Sequence, residues 1–168
     1  MVLTDGQQVI GDLFDRHMQA EVDGDLDATM ATMDGNPHVW NLPTLVGGHG
    51  YDGTRAFYAE QLAAGFFPGD LEITLVSRTV AAERLVDEIV FTFTHDQPLE
   101  WLLPGEPATG RRIEVPMVVI VGVADGKVSY EHIYWDQASV LVQAGLLDPA
   151  GLPVTGVESA ARLRDPSA

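Results

Sequence analysis

The chain has no cysteine and a single lysine, Lys127, among its 168 residues. Without cysteine there is no disulfide, no thiolate nucleophile and no cysteine-ligated zinc. That absence fits a reducing compartment, and the expected location is cytoplasmic. Bases of any kind are scarce. Nine Lys plus Arg stand against 25 Asp plus Glu, a formal charge of −16. A surface of that sign repels phosphate backbones and anionic headgroups, which argues against nucleic-acid and membrane partners. Since 20% of residues are charged, the acidity comes from missing bases rather than surplus acids. No apolar run approaches the ~18 residues that span a bilayer. The opening Met1 to Gly6 lacks the basic-then-apolar pattern of a secretory signal, so none is expected. Hydrophobic residues reach 46%, enough to build a core and to disfavour disorder. The length suits one domain, expected over residues 1–150, with an extension at 151–168 that holds a short helix.

Local patterns divide the chain. Thr4-x-x-Gln7 is a capping box opening a helix that carries Val9, Ile10, Leu13, Phe14 and Met18 at helical spacing. Asp23-Gly24-Asp25 interrupts it, and a second short helix with Leu26, Met30 and Met33 ends at Asp34-Gly35. A brief apolar segment, His38 to Leu42, closes at Pro43. The glycine-rich stretch from Gly47 to Gly53 leads into a third helix from about Thr54 to Ala64. The period then switches to two. Strands are expected from Leu71 to Val80, Leu85 to His95, Arg112 to Ala124 and Lys127 to Trp135, the last pair joined by the hairpin turn Asp125-Gly126. Asp136 sits where a helix N-cap belongs, and Thr155-x-x-Glu158 marks a last short helix. Helices come first and long antiparallel strands follow. That is an α+β architecture, not βαβ alternation. A strongly curved sheet of this kind, with three helices on its concave side, leaves a deep pocket as the place for function.

Several motifs invite chemistry. Gly48-x-Gly50-x-x-Gly53 matches a dinucleotide fingerprint, but no crossover strand follows and position 73 is Ile where an acid is needed, so it reads as a tight turn. The histidines at 17, 38, 49, 95 and 132 fall in no metal-ligand spacing, so no metal is expected, with a spatial cluster of His38, His95 and His132 in a cone as the alternative; His17 and His49 read as surface or helix-terminal residues. No serine lies in a nucleophile elbow. The strongest segment is Glu131-His132-Ile133-Tyr134-Trp135-Asp136. On a strand, His132, Tyr134 and Asp136 share one face, while Glu131, Ile133 and Trp135 share the other. Imidazole, phenol and carboxylate on one face can move protons at neutral pH. A structural account competes with this one, with Asp136 as the cap of the next helix. Trp40 and Asn41 at a strand end, Tyr58 on the third helix, and His95, Glu100 and Trp101 around an apolar loop are the candidate ligand-binding residues.

This succession of elements, the Asp125-Gly126-Lys127 hairpin, the Glu131 to Asp136 strand and the following Gln143-Ala144-Gly145-Leu146-Leu147 resemble the nuclear transport factor 2-like superfamily, and within it the SnoaL-like polyketide cyclase branch. The likeness runs over residues 5 to 147. It implies a cone-shaped α+β barrel (cystatin-like), with a highly curved, mainly antiparallel sheet, and a homodimer formed through that sheet. It also implies catalysis without cofactors, in which a pocket carboxylate near the end of the last strand serves as general acid/base on an enolisable carbon. Asp136 is the matching residue, with His132 and Tyr134 beside it. Asn41-Leu42-Pro43 is similar to the water-orienting segment of limonene-epoxide hydrolases, but the matching last-strand positions are His132 and Ile133, so that pattern lacks its carboxylate. The expectation is therefore a cyclase- or isomerase-like enzyme acting on a small apolar carbonyl compound. The alternatives are a non-catalytic ligand-binding or dimerising module and a hydrolase using activated water.

Overall fold

The fold is taken from a computed structural model, which describes residues 4–165 and 167. Helix α1 (Asp5–Val22) opens on the capping box: the Thr4 side chain accepts from the Gln7 amide, and Gln7 Oε1 accepts from the Thr4 amide at 2.9 Å. Asp25 caps helix α2 (Leu26–Thr32) through the Ala28 amide. Strand β1 (Met33–Asn41) then begins five residues earlier than the apolar pattern suggested, so Asp34-Gly35 lies inside a strand and does not end a helix. Met33 already pairs with Val128, and backbone pairing overrides the turn-like composition.

The glycine-rich segment contains a short strand, β2 (Val46–His49), before helix α3 (Gly50–Ala64). A Cβ at Gly47 would fall 1.9 Å from the Val39 carbonyl oxygen, so glycine there is what lets β2 close on β1. Strands β3 (Glu72–Val80), β4 (Arg84–Thr94), β5 (Arg112–Ala124) and β6 (Lys127–Trp135) follow at nearly the expected positions. Asp125 and Gly126 both take positive φ, 50° and 71°, as a tight β5–β6 hairpin requires. Helix α4 (Gln137–Ala144) and helix α5 (Glu158–Arg164) complete the chain.

The six strands run in the order β2-β1-β6-β5-β4-β3. All neighbours are antiparallel except β1 and β6, which are parallel. Register shifts in β1, β3 and β5 bend the sheet. It is curved but not closed into a barrel, because β2 and β3 remain as edges. Helices α1 and α3 face its concave side. α5 lies on the outer side, where Arg164 reaches the side chains of Thr92, at 2.7 Å, and Glu114. Among the described residues no helix is long and apolar enough to cross a membrane.

Alternation sorts the pocket-lining stretches of β4, β5 and β6 into two faces. Asp87, Ile89 and Phe91 of β4, Met117 and Val119 of β5, and Glu131 and Ile133 of β6 face inward. Their neighbours Val118 and Tyr134 face outward and stay exposed.

Candidate active site

Between α1, α3 and the concave sheet lies a cavity of about 250 Å³. Most of its wall is apolar. Phe66 and Phe67 stack with centroids 4.4 Å apart, and Trp101 meets Phe66 edge to face at 6.1 Å. The Trp101 indole N–H donates to the Phe66 carbonyl oxygen at 3.0 Å, which fixes the ring as part of the wall. At one side Arg78 donates twice to Asp87, both at 2.7 Å, and once to Asp15 at 2.8 Å.

The other polar part of the cavity is a buried cluster of four side chains. His17 and Glu21 sit one turn apart on α1, so both fall on the stripe that also buries Ile10, Leu13 and Phe14. Glu131 comes from β6 and Tyr58 from α3. His17 Nε2 lies 2.6 Å from Glu131 Oε1 and 3.1 Å from Glu21 Oε1. The Tyr58 hydroxyl donates to the same Glu131 oxygen at 3.1 Å and lies 3.2 Å from His17 Nε2. On the far side of the ring, Nδ1 is 2.6 Å from Thr32 Oγ1, whose own hydrogen goes to the Thr29 carbonyl oxygen. Thr32 therefore accepts from Nδ1–H, and this hydrogen bond turns Nε2 toward the carboxylates.

Burial would lower the proton affinity of His17. The attraction and hydrogen bond of Glu131, joined by those of Glu21, outweigh it and raise the pKa to about 10. The ring is thus an imidazolium that donates to Glu131. Burial raises Glu21 above the ordinary carboxylate range, despite the opposing effect of His17. Tyr58 is pushed well up by burial and by the two nearby carboxylates, so it stays a phenol.

The ligating atoms of His17, Glu21 and Glu131 lie within 4.8 Å of one another, so the set has the makings of a cation site. An ion bound to both His17 and Glu131 at about 2.1 Å would hold those two atoms about 3 Å apart. At 2.6 Å the two atoms form a hydrogen-bonded ion pair, and an ion would have to part them by about 0.4 Å.

The residues singled out in the sequence divide between the two faces of the sheet. Asn41, Tyr58 and Trp101 line the cavity. His132, Tyr134 and Asp136 do not. Asp136 caps α4, accepting from Ala138 N at 2.9 Å and Ser139 N at 3.3 Å, and Tyr134 is exposed on the outer face. His132 and Tyr134 lie on the outward face of β6, Asp136 lies just beyond the strand, and Glu131 and Ile133 look in. Trp40 also belongs to the outer face, packing beside Gly47. His95 is buried away from the cavity, with Nδ1 against Thr109 at 3.0 Å. Glu100 is exposed and lines a separate shallow cleft. His17, expected on a surface, is fully buried at the centre of the cluster. The signal that reveals it is a His-x-x-x-Glu pair inside the apolar stripe of α1.

An open curved sheet with helices across its concave side and a polar cluster sunk in an apolar cavity defines the nuclear transport factor 2-like, ketosteroid isomerase-like class of α+β folds. The chain belongs to the family of the SnoaL-like domain, whose model matches residues 14–131. None of the curated proteins compared with it matches. Solved structures do. A provisionally assigned SnoaL-like polyketide cyclase from Jannaschia sp. CCS1 has a TM-score of 0.69 at 19% identity, covering 88% of this chain and 99% of that one. TsrD from Streptomyces laurentii has a TM-score of 0.65 at 22% identity, covering 87% and 100%. A protein of ketosteroid isomerase-like fold from Catenulispora acidiphila DSM 44928, in complex with trimethylamine, has a TM-score of 0.59 at 16% identity, covering 80% and 93%. At these identities the likeness is one of fold.

Proposed function

We propose that the protein is an enzyme of the cyclase or isomerase type that enolises a small, largely apolar carbonyl compound by general acid/base catalysis. The observation that carries this reading is the His17–Glu21–Glu131–Tyr58 cluster, buried at the wall of an otherwise apolar and aromatic cavity. The family and the folds around it agree with that class of chemistry.

Glu131 is the base. Its contacts with His17 and Tyr58 both fall on Oε1, so Oε2 is the atom that takes the proton from the α-carbon. His17, charged and fixed by Thr32, positions the carboxylate and stabilises its negative charge. Tyr58, a phenol throughout, turns its O–H from Glu131 to the oxygen of the forming enolate. Glu21, whose buried carboxyl holds a proton more firmly than usual, returns a proton to carbon, and the proton taken up by Glu131 replaces it through His17 Nε2, which lies within hydrogen-bond reach of both carboxyls. Return to a different carbon isomerises the substrate. Attack of the enolate carbon on a second carbonyl of the same molecule breaks that C=O π bond and closes a ring, and the resulting alkoxide takes the proton from Glu21. The apolar walls exclude water from both outcomes.

The test is exchange of the α-protons of α-tetralone in D2O, followed by proton NMR. The protein should accelerate exchange, and Glu131→Gln should lower the catalysed rate about 10²-fold or more, in the usual range for a lost general base. Binding of the ketone without any accelerated exchange would refute catalysis and leave a ligand-binding module. Exchange that survives Glu131→Gln unchanged would refute the assignment of the base.

A further inference from the structure

The outer face of the sheet carries an imidazole pair that the enolisation chemistry does not use. His38 on β1 and His132 on β6 bring their Nε2 atoms within 3.0 Å of each other. They sit diagonally on adjacent parallel strands, since His38 is level with Tyr130 and Trp40 with His132. Their rings are held. Tyr130 stacks on both, at 5.3 Å and 12° to His38 and at 4.6 Å and 29° to His132. Tyr130 is itself seated over Gly122, where a Cβ would come within 2.1 Å of its ring. On the other side His49, opposite His38 on β2, stacks against it at 6.1 Å. Three imidazoles and a phenol from three strands therefore form one aromatic row, with two ring nitrogens converging.

We propose that His38 and His132 form a binding site for a late divalent transition metal, of the copper or nickel class, on the outer face of the sheet. Imidazole nitrogen is the ligand these ions favour, and Cu2+ binds most strongly in the divalent series. With metal–nitrogen bonds of about 2.1 Å, two nitrogens 3.0 Å apart subtend about 90° at the ion. That is the cis angle of the tetragonal geometry preferred by Cu2+ and Ni2+, whereas a tetrahedral ion would need the pair spread further. The ion sits beside the line joining the two atoms, so the rings need not separate. This site is independent of the enolisation cluster, which lies on the opposite face.

The experiment titrates the full chain with Cu2+ at pH 7.5, read by calorimetry and by electron paramagnetic resonance. The wild type should bind one ion per chain with the hyperfine pattern of two imidazole nitrogens. His38→Gln and His132→Gln should each weaken binding at least tenfold and reduce the pattern to one nitrogen, with circular dichroism and α-tetralone exchange unchanged. Absence of binding by the wild type, or an affinity and nitrogen count unaltered in His132→Gln, would overturn the proposal. Because exchange is measured in parallel, loss of the metal site and loss of the enolising activity are told apart.

Discussion

Raising the pH should destabilise this fold through His17. The ring has a pKa of about 10 in the folded chain, against 6.5 for an ordinary histidine. A group whose folded pKa is raised stabilises fully below its unfolded value and loses that contribution as pH climbs through the folded value. The window is therefore pH 6.5 to about 10, a span of about 3.5 units. At about 1.4 kcal/mol per unit the loss is on the order of 5 kcal/mol over the whole window. The ring is fully buried, so solvent does not screen the effect. Glu21, also raised, acts in the same sense and begins to do so at lower pH, since its unfolded form gives up the proton first. Tyr58 adds a further loss only at higher pH, where unfolded phenols ionise. Against a total stability of about 5–15 kcal/mol for a typical domain, the slope is easily measured. Urea denaturation between pH 6 and 9.5, at constant m-value, is the assay. The control is Glu131→Gln, which removes the strongest partner of His17 while leaving Glu21 in place, so the pH slope should shrink. A wild-type stability that stays flat from pH 6.5 to 9.5, or a Glu131→Gln variant with an undiminished slope, would refute the charged His17.

Two further outcomes separate the faces of the sheet. Asp136→Ala removes an N-cap with two amide partners and should cost about 1 kcal/mol in urea denaturation, while leaving α-tetralone exchange at its wild-type rate. A collapse of exchange in a folded Asp136→Ala protein would return the last-strand carboxylate to the catalytic list. Among the described residues Trp101 is the one indole on the cavity wall, whereas Trp40 packs beside Gly47 on the outer face. Ligand-dependent fluorescence changes should therefore disappear in Trp101→Phe and persist in Trp40→Phe, with the reverse result placing the ligand on the outer face.

Much of this architecture was legible from short-range chemistry. The capping box at Thr4 and Gln7, the two-residue Asp125-Gly126 turn and the Asp136 cap each depend on neighbours a few residues away, and all three form as their residue types require. The boundary at Met33 was not legible, because it depends on pairing with Val128, 95 positions further along the chain. The site illustrates the same limit at finer grain. Alternation divides β6 into Glu131, Ile133 and Trp135 on one side and His132 and Tyr134 on the other, but period two carries no sign. Which set looks inward is decided by where α1 and α3 lie, and those helices are placed by contacts distant in sequence. The more polar set drew attention, yet polarity is what an outward face ordinarily shows. A buried acid/base group is better betrayed by its company: His17 and Glu21 interrupt a stripe made of Ile10, Leu13 and Phe14, where a charged pair is costly unless a third partner satisfies it. Glu131 is that partner, the acid on the apolar side of its strand. Each is an ionisable residue at an otherwise apolar position, and the cost of burying either alone is what requires them to meet.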